Sequence, residues 1–334
     1  MSMIKKSRSA DSAFLPKWWL RGGHAQTLYR KFSPITEVRQ ERQRIELADG
    51  DFIDLDWAAD SRQLANGQTT IVMLLHGLCG CAASGYMQTL QAHLRQEGLP
   101  SVAMNFRGCS GEINRLARAY HSGVSEDVEE VVGNLLREYP QHDFMLVGFS
   151  LGANVLLKWL AESAHSARVT RAVAVSTPFR LAECSRAMQR GFSQLYGRYF
   201  LRRLVQDMEA KKVSFRSQGR MEQLQRLEEL GSLQALGSIW EFDDRVTAPL
   251  HGFRNANDYY ESCSSIHFLP RITTPTLLIQ SSDDPLIPSH ALPGAGQLSD
   301  HVTAALYERG GHVGFTHQHD PRWLERRIID FIRR

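Results

Sequence analysis

Long apolar runs are missing from this chain. No segment reaches the roughly eighteen consecutive apolar residues of a membrane-crossing helix, so integral membrane association is not expected. The start, "MSMIKKSRSADSAFLPKWWLRGGHAQTL", carries lysines but no apolar core of the length a secretory leader needs. Cysteine is sparse and odd in number: Cys79, Cys81, Cys109, Cys184 and Cys263, with no CxxC pair. That spacing offers neither a disulfide framework nor a zinc site, so reduced thiols in a cytoplasmic protein are expected. An excess of one charge sign is missing too. Lys and Arg number 39 against 36 Asp and Glu, a net +3, and no tract has the basic footprint of a nucleic-acid binder. Basic residues are densest in "RGFSQLYGRYFLRRLVQDMEAKK", which reads as a mostly solvated helical face. No internal repeat or low-complexity tract is visible.

What is present suits one large domain. A chain of 334 residues with 43% hydrophobic and 22% charged content can bury a substantial core without staples. "RIELADGDFIDLDWA" alternates about an Asp-Gly turn, the pattern of an antiparallel hairpin with Ile45, Leu47, Ile53 and Leu55 facing inward. The pattern then changes to short, near-continuous apolar runs: "TTIVMLLHG", "SVAMNFRG", "DFMLVGFS", "RAVAVST", "PTLLIQSS" and "TAALYER". Such runs suit strands buried on both faces. Segments of helical period lie between and after them, at Ser84 to Glu97, Val124 to Glu138, Leu151 to Ser163 and Trp323 to Ile332. The expectation is an α/β fold, a mostly parallel sheet flanked by helices, with ligands beyond the carboxyl ends of the strands. From about Phe179 to Phe268 no buried strand is evident, only helical stretches such as "LRRLVQDMEAKK" and "RMEQLQRLEELGSLQALG". This stretch is expected to be a helical cap inserted in a single domain spanning residues 1–334.

One pentapeptide raises a chemical question. Gly148-Phe149-Ser150-Leu151-Gly152 is a G-x-S-x-G sequence with an apolar strand before it and a helix after it. Ser150 could be an ordinary turn serine. The flanking glycines favour a nucleophile, because a serine held in a sharp, strained turn leaves no room for side chains two positions away. A serine hydroxyl needs an imidazole to take its proton and a carboxylate to orient that imidazole. "TPTLLIQSSDDPLIP" places Asp283 and Asp284 just past one strand, and "ALYERGGHVGF" places His312 just past the next. Asp-Asp-Pro is also a common turn sequence, but the order Ser, Asp, His at successive strand ends is that of a hydrolase triad. Asp284 is preferred as the acid because it precedes Pro285, with Asp283 as the alternative.

An oxyanion needs two preorganised backbone N–H groups. Leu151, after the serine, and Leu78, in "HGLCG" after an earlier strand, are the candidates. His76 reads as a hydrogen-bonded scaffold residue. His312, His317 and His319 lack the paired spacing of a metal site, and Cys79 and Cys81 read as buried, inert thiols. No cofactor or metal is implied.

Together "LLHGLCGC", "NFRGCSG", "GFSLGAN", "SSDDPLIP" and "GGHVGF", with the early "GGHAQTL" and the later "APLHGFRNANDYYESCSS", resemble the AB-hydrolase superfamily and specifically its family 4. The resemblance runs from about His24 to the C-terminus. It implies an α/β-hydrolase fold and a charge relay of Ser150, Asp284 and His312. It also implies carboxylesterase, lipid hydrolase or acyltransferase chemistry on a small-molecule ester. Cap residues Phe192, Leu195, Tyr196 and Phe200 hint at an apolar acyl pocket, although core packing accounts for them equally. A carboxylesterase is the expected function; transfer to an alcohol or thiol, lipid or monoacylglycerol hydrolysis, and a non-catalytic binding role are the alternatives. The oligomeric state is left open.

Overall fold

The structure is a computed structural model that describes residues 14–67 and 70–334. Eight strands form one sheet: β1 (Gln40–Glu46), β2 (Phe52–Ala58), β3 (Thr70–Leu75), β4 (Ser101–Asn105), β5 (Asp143–Phe149), β6 (Val169–Val175), β7 (Thr276–Ser281) and β8 (Val302–Tyr307). Their order is β1-β2-β4-β3-β5-β6-β7-β8. β2 is antiparallel to both β1 and β4, and from β4 to β8 all pairing is parallel.

Parallel strands need covered faces, and the side chains alternate to supply both. In β3, Ile71, Met73 and Leu75 enter one cluster with the helices Ser125–Glu138 and Leu151–Glu162. Val72 and Leu74 enter another with Gly85–Gln96 and Trp323–Ile332. Helix Ser125–Glu138 shows why: Val128, Val131, Val132 and Leu135 are fully buried at the i, i+3, i+4, i+7 spacing of one helical face.

The hairpin holds Ile45, Leu47, Ile53 and Leu55 inside. Its expected polar face departs from the sequence reading, because Asp54 and Asp56 are buried as well. β2 is an interior strand, so these carboxylates are paired instead of hydrated, Asp54 with Arg44 and Asp56 with Arg42, at 2.8 Å each. β8 departs the other way. It is the sheet edge, and most of its residues are exposed or only half-buried, Leu306 among the exposed.

Between β6 and β7 the described chain forms no strand. It runs through helices Leu181–Ala187, Gln194–Ser217 and Met221–Glu228, then Ile239–Phe242, a π-helical turn at Asp243–Thr247, Ala248–His251 and Ala256–Cys263. These helices bury a small core of their own around Met208, Phe215, Leu227 and Phe242. The first helix, Gly23–Phe32, lies at the opposite end of the sequence from β8 but packs onto the loop that follows it: Gln26 donates to Thr316 O and accepts from Thr316 N–H.

Candidate active site

β5 ends at Phe149, and Ser150 turns the chain into helix Leu151–Glu162 with φ 52° and ψ −118°, a backbone conformation that L residues seldom adopt. The glycines on either side are required by space. A Cβ on Gly148 would come within 2.6 Å of Ala153 Cα and Gly152 O, and one on Gly152 within 2.5 Å of His76 O. Only bare backbone lets the helix start this close to β3.

His312 completes the arrangement. Its Nδ1–H donates to Asp284 Oδ2 at 2.8 Å, and its Nε2 receives the Ser150 hydroxyl at 2.8 Å. The imidazole is held from the backbone as well, since His312 N–H donates to Thr27 Oγ1 and Val313 N–H to Ser176 Oγ. Asp284 is buried and does two jobs. Oδ2 meets His312, while Oδ1 accepts from the N–H groups of Leu286 and Ile287 and so caps the turn after the strand. Asp283 does not reach the imidazole; its Oδ1 accepts from Gly311 N–H at 2.9 Å. An imidazole bonded to a carboxylate at one nitrogen and a serine hydroxyl at the other can take the hydroxyl proton, because the carboxylate stabilises the imidazolium that results.

The loop after β3 supplies N–H groups. Gly77 N–H donates to Tyr86 Oη and Cys79 N–H to Tyr120 Oη. The Leu78 N–H between them has no hydrogen-bond partner among the described residues, nor does the Leu151 N–H at the start of its helix. A Cβ on Gly77 would stand 3.1 Å from Ser150 Cβ, so this loop lies directly against the serine. His76 is fully buried. Nε2 accepts from Phe106 N–H, Nδ1 donates to Gly77 O, and burial pulls its pKa down to about 4, which keeps the ring neutral and in one tautomer. Burial pushes the Cys79 thiol up to about 12, far from a reactive thiolate. Among the described residues no three His, Cys, Asp or Glu side chains converge as metal ligands.

Ser150, Leu78, Leu151 and His312 open onto a cavity of about 100 Å³ walled by Leu181, Met188, Phe200, Leu286 and Ile287. Of the four aromatic and aliphatic residues singled out between β6 and β7, Phe200 forms this wall. Tyr196 instead stacks on His24, and Phe192 and Leu195 are half exposed. The cavity also meets residues that sequence reasoning left without a role. Asp243, from the π-helical turn, accepts from Tyr260 Oη and Thr247 Oγ1 at 2.6 Å each, and burial still raises its pKa to about 6. Tyr260 belongs to "DYYESCSS", a motif that marked the region without specifying this contact. Asn154, in "GFSLGAN", was missed in the same way. Its side chain donates to Ser122 O and Cys263 O and accepts from Ser265 N–H, tying the helix after Ser150 to the last α-helix before β7.

Residues 70–316 match the alpha/beta hydrolase fold family. The chain is 38% identical over 328 residues to "Putative esterase YheT" of Escherichia coli, covering 97% of this chain and 94% of that one. It is 30% identical over 330 residues to "Phospholipase ABHD3" of Mus musculus, covering 96% and 78%. Among solved structures, the Pyrococcus furiosus esterase Pf2001 superposes with a TM-score of 0.56 at 18% identity over 89% of this chain and 92% of that one, a likeness of fold alone. The chain therefore belongs to the alpha/beta hydrolase superfamily, within its AB hydrolase 4 family, as an esterase- or lipase-like member.

Proposed function

We propose that the protein is a serine hydrolase of carboxylic esters with an apolar acyl chain, working through Ser150, His312 and Asp284. The observation that carries this reading is the His312 imidazole, 2.8 Å from Ser150 Oγ on one side and 2.8 Å from Asp284 Oδ2 on the other. In the proposed reaction His312 Nε2 takes the hydroxyl proton as Ser150 Oγ attacks the ester carbonyl. The Leu78 and Leu151 N–H groups stabilise the oxyanion of the tetrahedral intermediate. His312 then returns the proton to the departing alcohol, leaving an acyl-serine. Water, deprotonated by the same nitrogen, attacks this ester and releases the acid and the free serine.

The segment between β6 and β7 acts in this reading as a cap inserted in a single hydrolase domain. It contributes Met188 and Phe200 to the apolar wall beside the serine, a surface suited to an acyl chain and not to a charged group. A relative named as a phospholipase supports a lipid ester as substrate. Conversion of p-nitrophenyl esters of graded chain length tests the reading. Ser150→Ala should lower turnover on the order of a thousandfold or more, and a fluorophosphonate probe should label the wild type at Ser150. Full turnover by Ser150→Ala would overturn the nucleophile. Asp284→Asn should lose most of the activity through the orientation of His312, whereas Asp283→Asn should lose far less.

A further inference from the structure

Large apolar side chains are exposed in few places. Twelve are exposed among the described residues, and nine of these fall in two short stretches, residues 14–36 and 188–206. Phe32 and Trp18 are the most open, at 79% and 70%, and Trp19, Phe192 and Leu195 are about half exposed. The same two stretches contain eight Lys or Arg and no Asp or Glu, in a chain whose charges otherwise nearly balance. Arg30 pairs with Glu325 and Arg203 lies near Asp207. The other six, Lys17, Arg21, Lys31, Arg190, Arg198 and Arg202, have no carboxylate partner among the described residues.

The two stretches are joined side chain to side chain. The His24 ring lies parallel to Tyr196 at 5.7 Å and meets Phe192 edge-on at 4.7 Å. Lys31 Nζ stands 4.6 Å from the centre of the Tyr199 ring. They also border the candidate active site. Thr27 Oγ1 receives the His312 N–H, Ser193 Oγ donates to Pro285 O beside Asp284, and Met188 and Phe200 line the cavity.

We propose that this face is a peripheral docking surface for an anionic lipid bilayer. Ordinary soluble surfaces mix charge signs and disperse their large apolar groups. Tryptophan and phenylalanine interleaved with unpaired cations fit the bilayer interface instead, where rings settle at headgroup depth and Lys or Arg meet lipid phosphates. No described helix is long and apolar enough to cross a membrane, so contact is with the surface. The proposal does not depend on the hydrolase reading, since it concerns adsorption and not turnover.

Cosedimentation of the full chain with phosphatidylcholine vesicles, with and without phosphatidylglycerol, tests it. The protein should pellet with the anionic vesicles and be released by salt, as screened surface attraction requires. Ser150→Ala should pellet like the wild type. The triple variant Trp18→Ser/Phe32→Ser/Leu195→Ser and the charge variant Lys31→Glu/Arg198→Glu should each bind at least about tenfold more weakly. Both should keep wild-type circular dichroism and turnover of a soluble short-chain ester. Absence of binding to anionic vesicles would overturn the proposal, as would unchanged binding by both variants. A dimer in light scattering that the triple variant converts to monomer, without vesicle binding, would assign the face to a second copy of the chain and equally overturn it.

Discussion

Asn154→Leu should be among the most damaging substitutions outside the serine, histidine and aspartate themselves. Asn154 is fully buried, and its amide bridges three chain segments: it donates to Ser122 O at 2.7 Å and Cys263 O at 2.8 Å, and accepts from Ser265 N–H at 2.9 Å. Leucine has the same branching but more bulk and no polar atom, so one N–H and two carbonyls lose this partner, Ser265 N–H and Cys263 O in buried surroundings and Ser122 O beside the cavity. Each such group costs about 1–3 kcal/mol. The carbonyls, with two lone pairs each, fall toward the lower end, giving about 3–6 kcal/mol in total. That is a large part of the about 5–15 kcal/mol that holds an ordinary domain folded. Urea unfolding followed by tryptophan fluorescence measures it, with the midpoint falling and the slope unchanged. Turnover should fall as well, because Ser122 lines the cavity and Cys263 ends the helix that carries Tyr259 and Tyr260 against it. A loss below about 1 kcal/mol would refute the reasoning, since it would mean that the three groups find other partners.

Two further outcomes follow from the geometry. Gly152→Ala puts a Cβ 2.5–2.6 Å from the carbonyl oxygens of His76 and Leu75, which are backbone and cannot swing aside. Helix Leu151–Glu162 must then shift with the Leu151 N–H, and kcat on a soluble ester should drop about a hundredfold, in line with misplacement by roughly 1 Å; wild-type kcat would refute the steric argument. Stability should also fall as pH drops from 7 toward 4.5. Burial holds His76 and His251 neutral down to about 4 and about 3, whereas the unfolded chain takes up their protons below about 6.5. Their contribution is complete above that pH and is lost as pH falls toward the folded values. Asp243, raised to about 6, works in the opposite direction, adding stability below its ordinary range that is lost as pH rises through 6. His121, also pulled well below its ordinary value by burial, adds to the two histidines, and Asp127 and Asp207, raised by burial, add to Asp243; the histidines outweigh the aspartates, so Tm should decline on acidification, and a flat or rising Tm between pH 7 and 4.5 would contradict this balance.

The parts of the molecule legible in the sequence are those with local marks. Apolar runs announced β3 through β8, and helical spacing announced helices such as Ser125–Glu138 to within a residue. Glycines marked the turn at Ser150 because sterics there act over two positions. Asp284, favoured over Asp283 by Pro285 and by the likeness of "DPLIP" to an acid loop, is the carboxylate within hydrogen-bond reach of His312. Burial was harder to read, because it depends on where a strand sits in the sheet. Asp54 and Asp56 look solvated in an alternating pattern, yet they lie in an interior strand with arginine partners on β1, while β8 looks buried and is an edge. The helical period of "RMEQLQRLEELGSLQALG" also outruns the helix, which ends at Glu228, with Gly231 left-handed at φ 72° just beyond. Asn154 is illegible for a different reason. It is defined by partners that the chain brings in from elsewhere, Cys263 and Ser265 more than a hundred positions away, and no periodicity encodes such a meeting.

The contact between Gln26 and Thr316 spans 290 positions, and the helix carrying Gln26 also supplies Thr27 to the His312 backbone. Helix Gly23–Phe32 thus acts as a latch on a loop made 290 positions later. On the ribosome, Ser150 and its strand can form while that loop is still untranslated, and the first helix has nothing to close upon until it emerges. Loop closure over such a distance favours late formation. In the proposed reading, Ser150 would then gain its base only once the loop carrying His312 has been made, leaving until that point a nascent chain with an idle serine.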